Sequence, residues 1–192
     1  VGSEMCIRDR LCYVDMEEGN AFRSYLAGSS GLNYAPVSAF AEDEDYLWIG
    51  TEGGGVNRMD KRTGKFRLLA DGQNVVSNNI KSLIMDGRRN LWVSMFRGGI
   101  EVFDAGHRET AHYKRGRDGA GELLVNDVRK TVLEGDSGLW VAYQYPAPRI
   151  SYFSFKEKKF RHISLDSVGN YDYLFDIPVS YTHLTLPTNS RG

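Results

Sequence analysis

The stretch Val76-Ser77-Asn78-Asn79-Ile80-Lys81-Ser82-Leu83-Ile84-Met85-Asp86-Gly87-Arg88-Arg89-Asn90-Leu91-Trp92-Val93-Ser94-Met95 carries the pattern that decides the fold. Ile80–Met85 is an apolar run of strand length, too short for a stable helix. Asp86–Asn90 consists of residues that tolerate tight turns. Leu91–Met95 follows, with β-branched and aromatic residues around Trp92. Gly98-Gly99 then lets the chain reverse with positive φ, and Ile100–Asp104 resumes as a strand in which Ile100 and Val102 alternate with Glu101.

Working outward, the same unit recurs on both sides. All three tryptophans stand in one tripeptide, Leu47-Trp48-Ile49, Leu91-Trp92-Val93 and Leu139-Trp140-Val141, spaced 44 and 48 residues apart. Six residues before each is an acid: Glu42, Asp86 and Glu134. Val37–Ala41 and Val128–Leu133 match Ile80–Met85, and Lys65–Leu69 and Phe160–Ile163 supply a fourth strand. No stretch of helical length shows a 3.6-residue apolar period. Four short strands repeating at this period define the blade of a propeller. The expected fold is therefore all-β: a partial β-propeller of about three four-stranded antiparallel blades, with the first strand of each nearest the axis. The divisions are residues 36–79, 80–127 and 128–170. Residues 11–35 read as the end of a preceding blade and 171–178 as the start of the next.

The tryptophans Trp48, Trp92 and Trp140 read as packing residues between blades. A small residue stands two places after each (Gly50, Ser94, Ala142), on the same strand face, and leaves room for the indole. The segments 1–10 (VGSEMCIRDR) and 179–192 (VSYTHLTLPTNSRG) share no pattern with the interior; both resemble sequencing-adapter DNA translated in frame and are expected to stand outside the fold. The 192 residues carry a net charge of −1, which gives no general attraction to nucleic acid or membrane surfaces, and no nucleic acid is expected as a partner of this stretch. Cys6 and Cys12 are too few to make a disulfide framework.

Two units resemble the two-component regulator propeller repeat: Val76–Ile80, Asp86, Leu91-Trp92-Val93, Gly98-Gly99-Ile100 and Phe103-Asp104 in one, and Leu47–Val56, Asp60 and Thr63–Phe66 in the other. The third departs from it, with Ala142-Tyr143 in place of Gly-Thr and without the glycine pair. The resemblance implies a fragment of the extracytoplasmic, periplasmic sensor region of a bacterial sensor histidine kinase, often of the hybrid type. It further implies a glycan-type signal, contact with the remaining blades of the same chain, and a homodimer in the full-length protein. A lyase of the streptogramin-lyase type and a passive interaction scaffold are the alternatives.

No catalytic constellation and no cofactor site is expected. His107, His112 and His162 lack a second ligand at metal spacing, Asp43-Glu44-Asp45 lacks the rest of a calcium loop, and Glu52–Gly55 lacks the lysine and helix of a phosphate loop. The candidate ligand-binding residues lie in the connections between second and third strands: Glu52, then Phe96 and Arg97, then Gln144, Tyr145 and Arg149 beside two prolines. Because strands alternate in direction, these connections fall on one rim of the disc. Aromatic and planar polar groups there suit stacking on sugars and hydrogen bonding to carboxylates or sulfates.

Overall fold

The computed structural model describes residues 2–7, 10–15, 21–28, 31–69, 76–116, 122–143 and 149–163. The expected strand at Tyr171–Ile177 and the segment 179–192 lie outside the described residues.

Every described element is a strand. Gly2–Ile7 (β1), Arg10–Asp15 (β2) and Ala21–Leu26 (β3) form a three-stranded antiparallel sheet. Three four-stranded sheets follow: Val37–Glu42 (β4), Tyr46–Thr51 (β5), Val56–Asp60 (β6) and Phe66–Leu68 (β7); Ile80–Met85 (β8), Leu91–Met95 (β9), Gly99–Phe103 (β10) and Glu109–Tyr113 (β11); then Val128–Glu134 (β12), Gly138–Tyr143 (β13), Arg149–Ser154 (β14) and Lys159–Ile163 (β15). Within each, neighbours in sequence are neighbours in space and antiparallel. The strand edge of β2 is filled by β1, with Gly2 opposite Asp15 and Ile7 opposite Arg10. An open edge offers unpaired N–H and C=O groups, and any chain able to extend beside it can satisfy them.

The first strands touch, β4 on β8 and β8 on β12, which sets the sheets side by side like blades with those strands innermost. Burial follows: every residue of β9 and β10 is buried, whereas β11 and β15 are mostly exposed or partly exposed. Because side chains alternate across a strand, each sheet supplies two apolar faces. Leu83, Leu91, Val93 and Phe103 meet Trp48 and Val56 of the preceding blade; Trp92, Ile100 and Val102 meet Leu139, Val141 and Phe153 of the following one. Leu11 packs with Leu47, Ile49 and Met59, so the three-stranded sheet covers the other face of the first full blade.

Trp48 and Trp92 are 1% and 4% exposed, between blades, while Trp140 on the last described face is only partly covered. Their polar ends differ. Trp92 Nε1 donates to Asp86 Oδ2 at 2.9 Å, and the same carboxylate accepts from the amides of Arg88 and Asn90, so one side chain closes the turn and satisfies the indole. In the first blade that acceptor is Asp43 (3.2 Å), one residue later than Glu42, which instead binds Lys61. Trp140 Nε1 has no acceptor among the described residues. The small residue two places on has a different purpose from the one expected. A Cβ on Gly50 would stand 2.6 Å from Ile80 Cγ2, and Ser94 Oγ lies 3.2 Å from Thr131 Oγ1; both residues let the first strand of the next blade approach.

Candidate functional site

The rim of the second-to-third-strand turns is knitted to the connectors between blades. Residues 76–79, which lead into β8, touch the turns on both sides. Gly55 N donates to Asn78 O, and Glu52 bridges to Asn79. On the other side Phe96 N donates to Asn79 O, and Ser77 Oγ donates to Phe96 O. Gly55 and Gly99 take the left-handed conformation that closes each turn.

Within this frame Glu52, Phe96 and Arg97 come together through a residue that the sequence reading passed over, Lys81. Its ammonium lies 3.0 Å from Glu52 Oε1 and 6.0 Å from the centre of the Phe96 ring. The Arg97 guanidinium packs over the same ring at 5.0 Å, from a backbone held at φ 60. Such a conformation is costly for a non-glycine residue and is kept only where its surroundings enforce it. Asp127, at the entry to β12, closes the group electrostatically. Burial raises its carboxyl above the usual range, and Lys81, Arg97 and Arg129 pull it back. The result is an aromatic ring flanked by two cations, with a carboxylate on either side.

Lys81 points here because each first strand carries a bulge at its second residue: the register slips between Val37 and Ala39, Ile80 and Ser82, and Val128 and Lys130. A bulge frees one residue from the ladder and re-aims its side chain. The freed residues are Ser38, Lys81 and Arg129. Ser38 Oγ donates to the Ile80 carbonyl of the next blade (2.6 Å). Lys81 and Arg129 both stand eleven residues before a tryptophan, and that shared place in the repeat was the available signal. Arg149, expected in the third turn, is the exposed first residue of β14, opposite Tyr143. Gln144 and Tyr145 lie outside the described residues.

The three histidines among the described residues are apart. His107 caps the blade interface near the turns Asp43–Tyr46 and Asp86–Asn90. There its ring meets Trp48 and Tyr46 edge-on and bonds Arg58, in a cleft of about 190 Å³. A matching cleft of about 240 Å³ lies between the second and third blades, around Trp92, Tyr113 and Phe155. Burial lowers the His107 pKa, the Arg58 charge lowers it further, and Asp43 and Asp104 oppose both. His112 bonds the Gly98 carbonyl, and His162 lies 2.8 Å from Ser151 Oγ.

The radial stacking of four-stranded up-and-down sheets on their innermost strands defines a β-propeller. Solved structures share this fold. The extracellular domain of BT4673 from B. thetaiotaomicron, named in one structure as a putative one component system and in another as a putative hybrid two component system, superposes with TM-scores of 0.77 and 0.76 at 18% identity, over 94% of this chain and 26% of that one. The extracellular domain of the putative hybrid two-component system BT3049 from the same organism gives 0.67 at 19%, over 85% and 23%. PorZ, a surface component of the type-IX secretion system of Porphyromonas gingivalis, gives 0.59 at 17%, over 85% and 21%. The chain thus spans about a quarter of the length of these three proteins. No family model and no curated protein sequence matches it.

Proposed function

We propose that this chain is an arc of the extracytoplasmic sensor propeller of a two-component signalling protein, and that it detects or relays a glycan-type signal to a histidine kinase. The observation that carries this reading is the match of nearly the whole chain to the BT4673 extracellular domain, at an identity too low to inform on chemistry but a TM-score of 0.77. The rim supports it: Phe96 offers a ring face for a pyranose, and Arg97 and Lys81 offer directional donors to hydroxyl, carboxylate or sulfate oxygens. Arg97 is the most exposed of the cations in the group and has no carboxylate within ion-pair distance among the described residues.

Isothermal titration of the chain against neutral, uronate-containing and sulfated oligosaccharides tests the reading. Binding of one class, lost in Phe96→Ala and weakened at least about tenfold in Arg97→Ala, is expected from the loss of a stacking contact or a charge-assisted hydrogen bond. Binding that survives both substitutions unchanged removes the rim from the account.

A further inference from the structure

Beneath the rim lies a buried carboxylate that the binding reading leaves unused. Glu101, in β10, is 0% exposed, on a face whose neighbours Leu83 and Val93 are apolar. Its Oε1 accepts the amide of Val76 at 3.1 Å, and its Oε2 has no hydrogen-bond partner among the described residues. Opposite it on β11 stands His112, with Nδ1 3.7 Å from Oε1. His112 Nε2 is 2.8 Å from the Gly98 carbonyl. A carbonyl only accepts, so Nε2 carries a proton. In a neutral ring Nδ1 is then a lone pair facing a carboxylate, two acceptors side by side. A proton on the carboxyl turns that repulsion into attraction.

The first blade supports this. At the matching place Asn57, a neutral amide 1% exposed, accepts the Asn33 amide of its own connector at 3.3 Å. The position therefore ties connector to blade, and elsewhere in the fold it does so without charge. Burial raises the Glu101 pKa and Glu109 adds to it, against the Val76 amide, His112 and Lys114, which all favour the anion.

We propose that Glu101 keeps a proton in the folded chain, held against the His112 Nδ1 lone pair, and that this proton latches the 96–99 turn through His112, so that its loss loosens the part of the rim carrying Phe96 and Arg97. The far end of the latch is the Gly98 carbonyl; the Val76 amide donates to the carboxyl in either state, and more strongly to the anion. Once the proton leaves, His112 can relieve the repulsion only by moving its remaining proton to Nδ1, which abandons Gly98. The relevance to sensing rests on the rim being the ligand site; the latch does not.

Hydrogen exchange read by mass spectrometry on the full chain, corrected for intrinsic pH dependence, tests it without a ligand. In the wild type, peptides covering 96–99 should exchange at least about tenfold faster as pH rises past the Glu101 titration, the effect of losing one hydrogen bond, while those covering 76–79 should not. Glu101→Gln, a permanent copy of the protonated form, should keep 96–99 protected across the same range. A wild-type profile that is flat with pH at 96–99 overturns the latch even if the variant fails to fold. The same holds if Glu101→Gln shows the wild-type pH dependence, or exposes 96–99 near neutrality.

Discussion

Replacing Trp92 by alanine is the sharpest test of how the blades are held. The indole is 4% exposed and packs with Leu139, Val141 and Phe153 of the next blade, stacking parallel to Tyr113. Covering an aromatic side chain of about 200–250 Å² at about 25 cal/mol per Å² contributes roughly 5–6 kcal/mol, an upper bound because the unfolded chain already buries part of it. Removal also takes one donor from Asp86 Oδ2, which keeps the bond from Asn90 Nδ2 at 2.9 Å. The expected loss is therefore about 3–5 kcal/mol, the range for emptying a site of this size between two packed sheets. Trp140→Ala is the internal control. It should cost roughly 1–2 kcal/mol, because the ring is only partly buried and its Nε1 makes no bond among the described residues. Urea titration followed by circular dichroism measures both. A loss below about 1 kcal/mol at Trp92, or equal losses at the two positions, refutes the claim that one tryptophan is sandwiched and the other is not.

Two further outcomes follow from local geometry. The pKa of His107 is lowered in the fold, so folding favours the neutral ring; its contribution is full above the unfolded value of about 6.5 and is lost as pH falls toward the folded value. Wild-type stability should drop on acidification through that window more steeply than that of His107→Gln, measured by urea titration at each pH; parallel curves would show that the ring is not titrating against Arg58. Gly99→Ala should cost at least about 2 kcal/mol by thermal melt, because φ is +80 and the new Cβ would lie 2.2 Å from the Tyr113 carbonyl oxygen; an unchanged melt would mean that the turn is not closed this way.

Much of the fold was legible because a repeat reports itself. Ile80–Met85 and Leu91–Met95 are strands over those same residues, and the three Leu-Trp-Val/Ile tripeptides lie at equivalent places in three sheets. Less legible was anything set by contact between repeats. Asp43 rather than Glu42 reaches Trp48 because the first turn is one residue shorter, a difference that spacing alone shows but does not interpret. Lys81 escaped notice as a rim residue because alternation along a strand presumes an unbroken ladder, and the bulge breaks it. Glu101 read as the polar position of an alternating strand, yet it is 0% exposed, because a neighbouring sheet covers that face. Pattern at period two tells apolar from polar positions and says nothing of a second sheet arriving from elsewhere in the chain.

The central claim is that adjacent blades meet through their first strands at the centre, and a cross-link tests it directly. Ser82 Oγ of β8 and Thr131 Oγ1 of β12 are 3.1 Å apart, buried at 4% and 2% exposure. In a chain with Cys6 and Cys12 changed to serine, Ser82→Cys with Thr131→Cys should close a disulfide under mild oxidation, seen as the loss of two hydrogens by mass spectrometry of the folded protein, since the two side chains already point at each other with their γ atoms in contact. Arg67→Cys with Arg161→Cys, on the outer strands β7 and β15, should stay reduced. Free thiols at the inner pair, or a cross-link at the outer one, would contradict the radial arrangement.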